Sequence, residues 1–154
     1  AQRTAPLVVL DVPHMWTGWS KTTLGRADDV VITATPDLAN LRNAKNLVDT
    51  LRKLRPNDGA PKLIINQSGV PKRPEISVDD FADALEITPL AVIPFEPQFF
   101  GKAANNGRML GEMDRNHPIV QTINELAHVL TGRREVRPKK KSGLSALFGR
   151  LTGK

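Results

Sequence analysis

Three places in the chain carry chemistry-bearing side chains just where an apolar run ends. Leu7-Val8-Val9-Leu10 gives way to Asp11, Leu63-Ile64-Ile65 to Asn66, and Leu90-Ala91-Val92-Ile93 to Pro94 and then Glu96. A carboxylate so placed offers hard oxygens to Mg²⁺, directly or through water, beside a phosphate. A carboxamide offers a donor and an acceptor at once, which suits the edge of a base. Asp and Asn are also common wherever a strand passes into a loop, so one of them alone does not separate a ligand from a turn residue. Their convergence on one edge would, because ligands of parallel sheets bind outside the carboxyl ends of the strands.

Convergence depends on the elements that hold these residues. Leu7–Leu10, Asp29–Ala34, Lys62–Asn66 and Leu90–Pro94 are short runs of strand formers, apolar enough for burial on both faces of a sheet. Thr35-Pro36 predicts a helix start, with a capping hydroxyl followed by proline at the first helical position. Leu38, Leu41, Ala44, Leu47, Val48, Leu51 and Leu54 then form one apolar stripe, which Pro56-Asn57-Asp58-Gly59 ends. Ser77 caps a short helix with Val78, Phe81, Ala82 and Leu85 inward, and Pro118 opens a helix with Ile119, Ile123, Leu126, Ala127 and Leu130 that closes at Gly132. Residues 14–27, with Trp16, Trp19 and Lys21, read as a loop or a short helix. The stretch 95–117, with Gly101, Asn105, Asn106, Gly107 and Gly111, reads as long and irregular, a kind of segment more often functional than neutral. Strands alternating with helices predict α/β units around a parallel sheet with flanking helices.

The charge divides the chain in two. Its 154 residues carry 22 Lys+Arg against 16 Asp+Glu, a net of +6. Residues 133–154 hold eight of those bases and one acid, Glu135, which leaves 14 bases and 15 acids in residues 1–132. A nearly neutral body with a basic tail argues against a nucleic-acid-binding face built into the fold. The expected division is therefore 1–132 as the body and 133–154 as a basic linker with a short amphipathic helix. In that tail Leu144, Leu147, Phe148 and Leu151 recur at i, i+3, i+4 and i+7, beside Lys139, Lys140 and Lys141. A basic amphipathic segment of this kind suits an anionic membrane surface or a groove on a partner protein.

Several chemistries find no support. There is no cysteine, hence no disulfide, thiolate site or cysteine nucleophile. His14, His117 and His128 have no ligand spacing, and no Gly-x-Ser-x-Gly elbow occurs. No apolar run approaches the roughly 20 residues of a membrane span, and Ala1–Leu10 lacks a signal-peptide layout. Cytoplasmic residence is the expectation. Trp16 and Trp19, after Asp11, serve either as anchors for a partner or as cover for the sheet.

Val8-Val9-Leu10-Asp11-Val12-Pro13 resembles the second nucleotide motif of the deviant P-loop ATPases of the MinD/ParA group. The likeness continues in order through Ala27-Asp28-Asp29-Val30-Val31-Ile32 and Thr35-Pro36, Leu41-Arg42-Asn43-Ala44-Lys45, Leu63-Ile64-Ile65-Asn66, Val92-Ile93-Pro94-Phe95-Glu96 and Asn105-Asn106-Gly107. Asp11 to His14, the Leu-Arg-Asn helix and Ile65-Asn66-Gln67 look closest to the CpaE/TadZ type of Flp (tight-adherence) pilus assembly. The resemblance covers residues 7–131. It implies a P-loop NTPase-like fold, ATP and Mg as cofactors, Asp11 as the catalytic and Mg-positioning residue with Pro13 beside it, and Asn66, Pro94 and Glu96 around the adenine. The tail is similar to the membrane-targeting tail of MinD.

The family's Gly-x-x-x-x-Gly-Lys-Ser/Thr loop, whose backbone cradles the phosphates, occurs nowhere in the 154 residues. The resemblance therefore implies the C-terminal half of a longer protein, preceded by that loop and a receiver-like domain. The intact protein would be an ATPase of pilus assembly, or a non-enzymatic scaffold, that localises the pilus machinery. This chain alone would be inactive and without tightly bound ATP. The partners so implied are the missing N-terminal half or a second copy, a homodimer mate in the intact protein, and pilus secretion components. The inner-membrane surface would be reached through the tail, with a cell pole as one option, and nucleic acid is not expected.

Overall fold

A computed structural model describes residues 7–13 and 15–132. The element order is α1 (Gly18–Arg26), β1 (Val31–Ala34), α2 (Leu38–Leu54), β2 (Lys62–Ser68), α3 (Val78–Leu85), β3 (Ala91–Pro94), α4 (Pro97–Asn105), α5 (Leu110–Met113) and α6 (Pro118–Leu130). The three strands form one parallel sheet in the order β1-β2-β3, with Thr33 opposite Ile64 and Ile64 opposite Ala91. This is the parallel sheet with flanking helices that the alternation predicted.

The helices form where apolar periodicity and caps agree. The hydroxyl of Ser77 accepts the Asp80 N–H at 3.1 Å, and α3 then turns Phe81 and Leu85 inward until neither keeps any exposure. Along α2 the buried positions are Ala44, Val48 and Leu51, three and four residues apart, which is one face of a 3.6-residue turn. These residues meet Val30, Ile32 and Ala34 of the β1 region and Leu63 and Ile65 of β2, which with Ile87 complete the main core. A second, smaller cluster of Ile64, Ala91 and Leu126 lies where α6 crosses the opposite face.

Four expectations need correction. Leu7–Leu10 is not a strand: it joins no ladder, and all four side chains are exposed, Val9 at 84%. An apolar run becomes a strand only against a neighbour that takes its backbone hydrogen bonds, and none of the described strands lies beside it. The stretch 95–117 is not irregular, since α4 and α5 occupy much of it. Pro97 at the first helical position starts α4, and Phe99, Phe100 and Ala103 lie on it at helical spacing in spite of Gly101. The cap of α2 is Asp37, not Thr35: its carboxylate accepts the Asn40 N–H at 2.9 Å, and the Thr35 hydroxyl donates to Asp37 at 2.5 Å. The strands are also not covered on both faces. In β1, Ile32 and Ala34 are buried whereas Val31 and Thr33 are exposed. The stretch 14–27, left open as loop or helix, contains α1, with Thr17 and Ser20 capping each other.

Candidate functional site

The carboxyl ends of β2 and β3 build the candidate site. Their ladder runs in register through Ile65 opposite Val92, then resumes with Ser68 opposite Pro94. Two residues of β2, Asn66 and Gln67, thus face the single residue Ile93. This is a β-bulge, a feature that re-aims side chains and is frequent beside active sites. Gln67 takes φ +53, a left-handed conformation unusual for a residue with a Cβ. Its N–H donates to Asn66 Oδ1 at 2.9 Å, and the Phe95 N–H closes the ladder on Ser68 O at 2.8 Å. Asn66 is half-buried at the point where the strand opens, with one acceptor oxygen committed locally.

The chain turns back after Ser68 through a loop tied by charge. The Glu75 carboxylate accepts the N–H groups of Gly69 (3.0 and 3.1 Å) and Val70 (3.0 Å) and pairs with Arg73 Nη2 at 2.8 Å. The same Nη2 donates to the Gln67 carbonyl. The Gly69 N–H, ahead of Arg73 and Val70, holds Glu75 below the usual carboxylate range. Sequence reasoning passed over these residues. Its available signal was the Arg73-Pro74-Glu75 charge pair inside a Gly/Pro loop.

Beside the bulge, Glu96 follows β3 at the residue before α4, where its side chain makes no capping hydrogen bond. Its Oε2 lies 3.2 Å from His117 Nε2, while His117 Nδ1 accepts the Ile119 N–H at 3.3 Å and the ring stacks on Phe99 at 3.8 Å. With Nδ1 accepting, Nε2 carries the proton toward Glu96. His117 is thus a structural cap, as an ordinary helix histidine would be, yet it also fixes the carboxylate expected near a base.

The fold brings Asn66, Pro94 and Glu96 to one edge. Asp11 and Pro13 lie in the exposed segment before α1, outside the sheet. Trp16 and Trp19 are exposed at 51% and 57%, and His14 lies outside the described residues. So do Lys139, Lys140, Lys141, Leu144, Leu147, Phe148 and Leu151 of the tail. A cleft near the start of β1, lined by Asp28, Leu51, Arg55, Asp58 and Lys62 among others, is structural. There Arg55 spends its donors on Leu24 O (3.0 Å), Asp28 O (3.2 Å) and the Asp58 carboxylate (2.6 Å), tying the end of α2 to α1 and to the turn before β1.

An adenine nucleotide with Mg fits this structure in part. The residues expected around a base share one edge: an Asn at a bulge, next to a proline and a carboxylate. Asp11 lies in the exposed segment before α1, and no group of three acidic or His ligands occurs among the described residues. The described edge thus offers a carboxamide and a carboxylate as hydrogen-bonding groups.

No family model matches the chain, and no curated protein matches it in sequence. Solved structures do. The MinC:MinD cell division protein complex of Aquifex aeolicus is similar with a TM-score of 0.65 and 23% identity over 81% of this chain and 51% of that one. The MinD cell division protein of Aquifex aeolicus gives 0.60 and 27% over 76% and 48%. A ParA family ATPase from Chlorobium tepidum TLS gives 0.62 and 19% over 72% and 45%. The chain has the fold of the MinD/ParA-type ATPases and spans about half the length of the structures it matches.

Proposed function

We propose that the chain carries the base-contacting part of a MinD/ParA-like ATPase that uses ATP and Mg when intact. The observation that carries this reading is the bulge that sets Asn66 at the sheet edge beside Pro94 and Glu96, in a fold of the nucleotide-binding type. Asn66 would donate to and accept from the base edge, and Glu96, held by His117, would border it. Asp11 would join as the Mg-positioning residue only once its segment is drawn to the sheet edge. The finer role is localisation of a tight-adherence pilus machine, through nucleotide-dependent dimerisation and attachment of the 133–154 tail to the inner membrane from the cytoplasm. Support for that finer role comes from the Asp11–His14 and Ile65–Gln67 segments and from the tail's apolar face.

A titration of the isotope-labelled chain with Mg·ATP and Mg·CTP tests the base-contacting part. Weak shifts confined to Asn66, Phe95 and Glu96 with ATP, and smaller ones with CTP, are expected. Equal or absent shifts at those residues sink the reading. Sedimentation with anionic vesicles tests the tail: the full chain should pellet, whereas Leu147→Glu should not, and equal pelleting rejects insertion of the apolar face. A second reading, a scaffold that keeps the fold without hydrolysis, is favoured by the position of exposed Asp11 outside the sheet. ATP turnover by the intact protein would end that second reading.

A further inference from the structure

The bulge at Asn66 and Gln67 needs something to hold it. Gln67 sits left-handed without being glycine, and Lys72 (φ +63) and Gly69 (φ +84) repeat that conformation within the next five residues. A backbone with so many uncommon conformations persists only where its surroundings over-determine it. One side chain reaches all the necessary partners. Glu75 takes the amides of Gly69 and Val70 on one side and the Arg73 guanidinium on the other, and that guanidinium grips the Gln67 carbonyl. The Gln67 N–H in turn occupies Asn66 Oδ1. The path from Glu75 to Asn66 is therefore an unbroken series of polar contacts.

Two further observations show that Arg73 is held rather than resting. Its side chain and that of Glu75 are only 24% and 21% exposed although they lie in a loop. The Arg73 Nε is buried without a hydrogen-bond partner among the described residues. Leaving a charged donor so placed is unfavourable, and the contacts of Nη2 with Glu75 and Gln67 offset that cost.

We propose that Glu75 is a positioning residue: through Arg73 and the amides of Gly69 and Val70 it holds the Asn66–Ser68 bulge in one conformation, and so sets how Asn66 faces a base. The proposal rests on the nucleotide-binding reading for its purpose, but the latch itself is a property of the free chain. Glu75 touches no nucleotide in this arrangement and acts only through its neighbours.

The test is amide and side-chain NMR of the full 154-residue chain without nucleotide, for the unsubstituted protein, Glu75→Gln, Arg73→Lys and, as a control at the far edge of the sheet, Asp58→Asn. Glu75→Gln should speed hydrogen exchange at Gly69 and Val70 by about tenfold or more and shift the Asn66 side-chain amide signals. Arg73→Lys should shift the Asn66 signals while leaving Gly69 and Val70 protected, since the shorter lysine places its ammonium short of the point between Glu75 and the Gln67 carbonyl that Nη2 occupies. Asp58→Asn should move neither. If Glu75→Gln loosens the loop while the Asn66 signals stay fixed, Glu75 orders the loop alone and the proposal is overturned. Unchanged exchange at Gly69 and Val70 overturns it as well. A variant that fails to fold loses its dispersed core signals, for example those of Phe81, and Arg73→Lys then decides. Addition of Mg·ATP to the unsubstituted chain examines the nucleotide reading separately, because its failure leaves the nucleotide-free shifts intact.

Discussion

The two faces of the sheet differ sharply in how they are covered. On one face α2 and α3 bury Ile32, Ala34, Leu63 and Ile65 under Val48, Leu51, Phe81 and Leu85. On the other, α6 covers Ile64 and Ala91, while Val31 and Thr33 of β1 stay exposed. Parallel sheets are ordinarily buried on both sides. Most of the apolar burial of the described body therefore lies on one face, and the second face is a supporting surface with room over β1.

The strongest way to break this contrast is Phe81→Ala. The ring is fully buried, so the variant should lose about 3–5 kcal/mol of unfolding free energy in urea titration; a loss below about 1 kcal/mol would remove the distinction between the faces. Leu126→Ala, in the smaller cluster, should cost about 2 kcal/mol, at the low end for an aliphatic truncation because fewer partners surround it. Loss of the α2 cap in Asp37→Ala should cost about 1 kcal/mol. At the exposed end of the scale, Val31→Lys should change stability by less than about 0.5 kcal/mol. A larger loss there would mean that β1 is covered after all.

Acid sharpens the same comparison. The Thr35 hydroxyl, ahead of the Asn40 N–H, lowers the Asp37 carboxyl, and the Gly69 N–H does the same for Glu75. A carboxylate lowered by folding stabilises the native state above its unfolded value, and that contribution disappears as pH falls through the folded value. Urea midpoints followed from neutral pH downward through the carboxylate range should therefore fall. The fall should be shallower in Asp37→Asn, and parallel curves for the two proteins would contradict the assignment.

What was legible in the sequence follows from how local the controlling physics is. The α2 stripe, the Ser77 cap and the β2 run could be read because periodicity and capping act within a few residues. Asn66 could be placed near the carboxyl end of that strand for the same reason, although β2 runs two residues further, to Ser68. Its bulge could not, because the conformation of Gln67 depends on Arg73 and Glu75 across a loop. Leu7–Leu10 misled in the opposite direction: β propensity is local, but a ladder needs a neighbour. At 97–105 the glycine and the asparagine hid a helix whose start is set by Pro97 and whose inner face packs through Ala103.

The course of α6 gives the body a direction. His117 at its start touches Glu96 after β3, whereas Leu126 packs against Ala91 where β3 begins, so the helix runs antiparallel to the strands. Thirteen residues carry the chain about 20 Å along that axis. Gly132 is thereby delivered toward the end of the sheet opposite Asn66. A label at Gly132 and one at Asn66 would thus report on opposite ends of the same sheet.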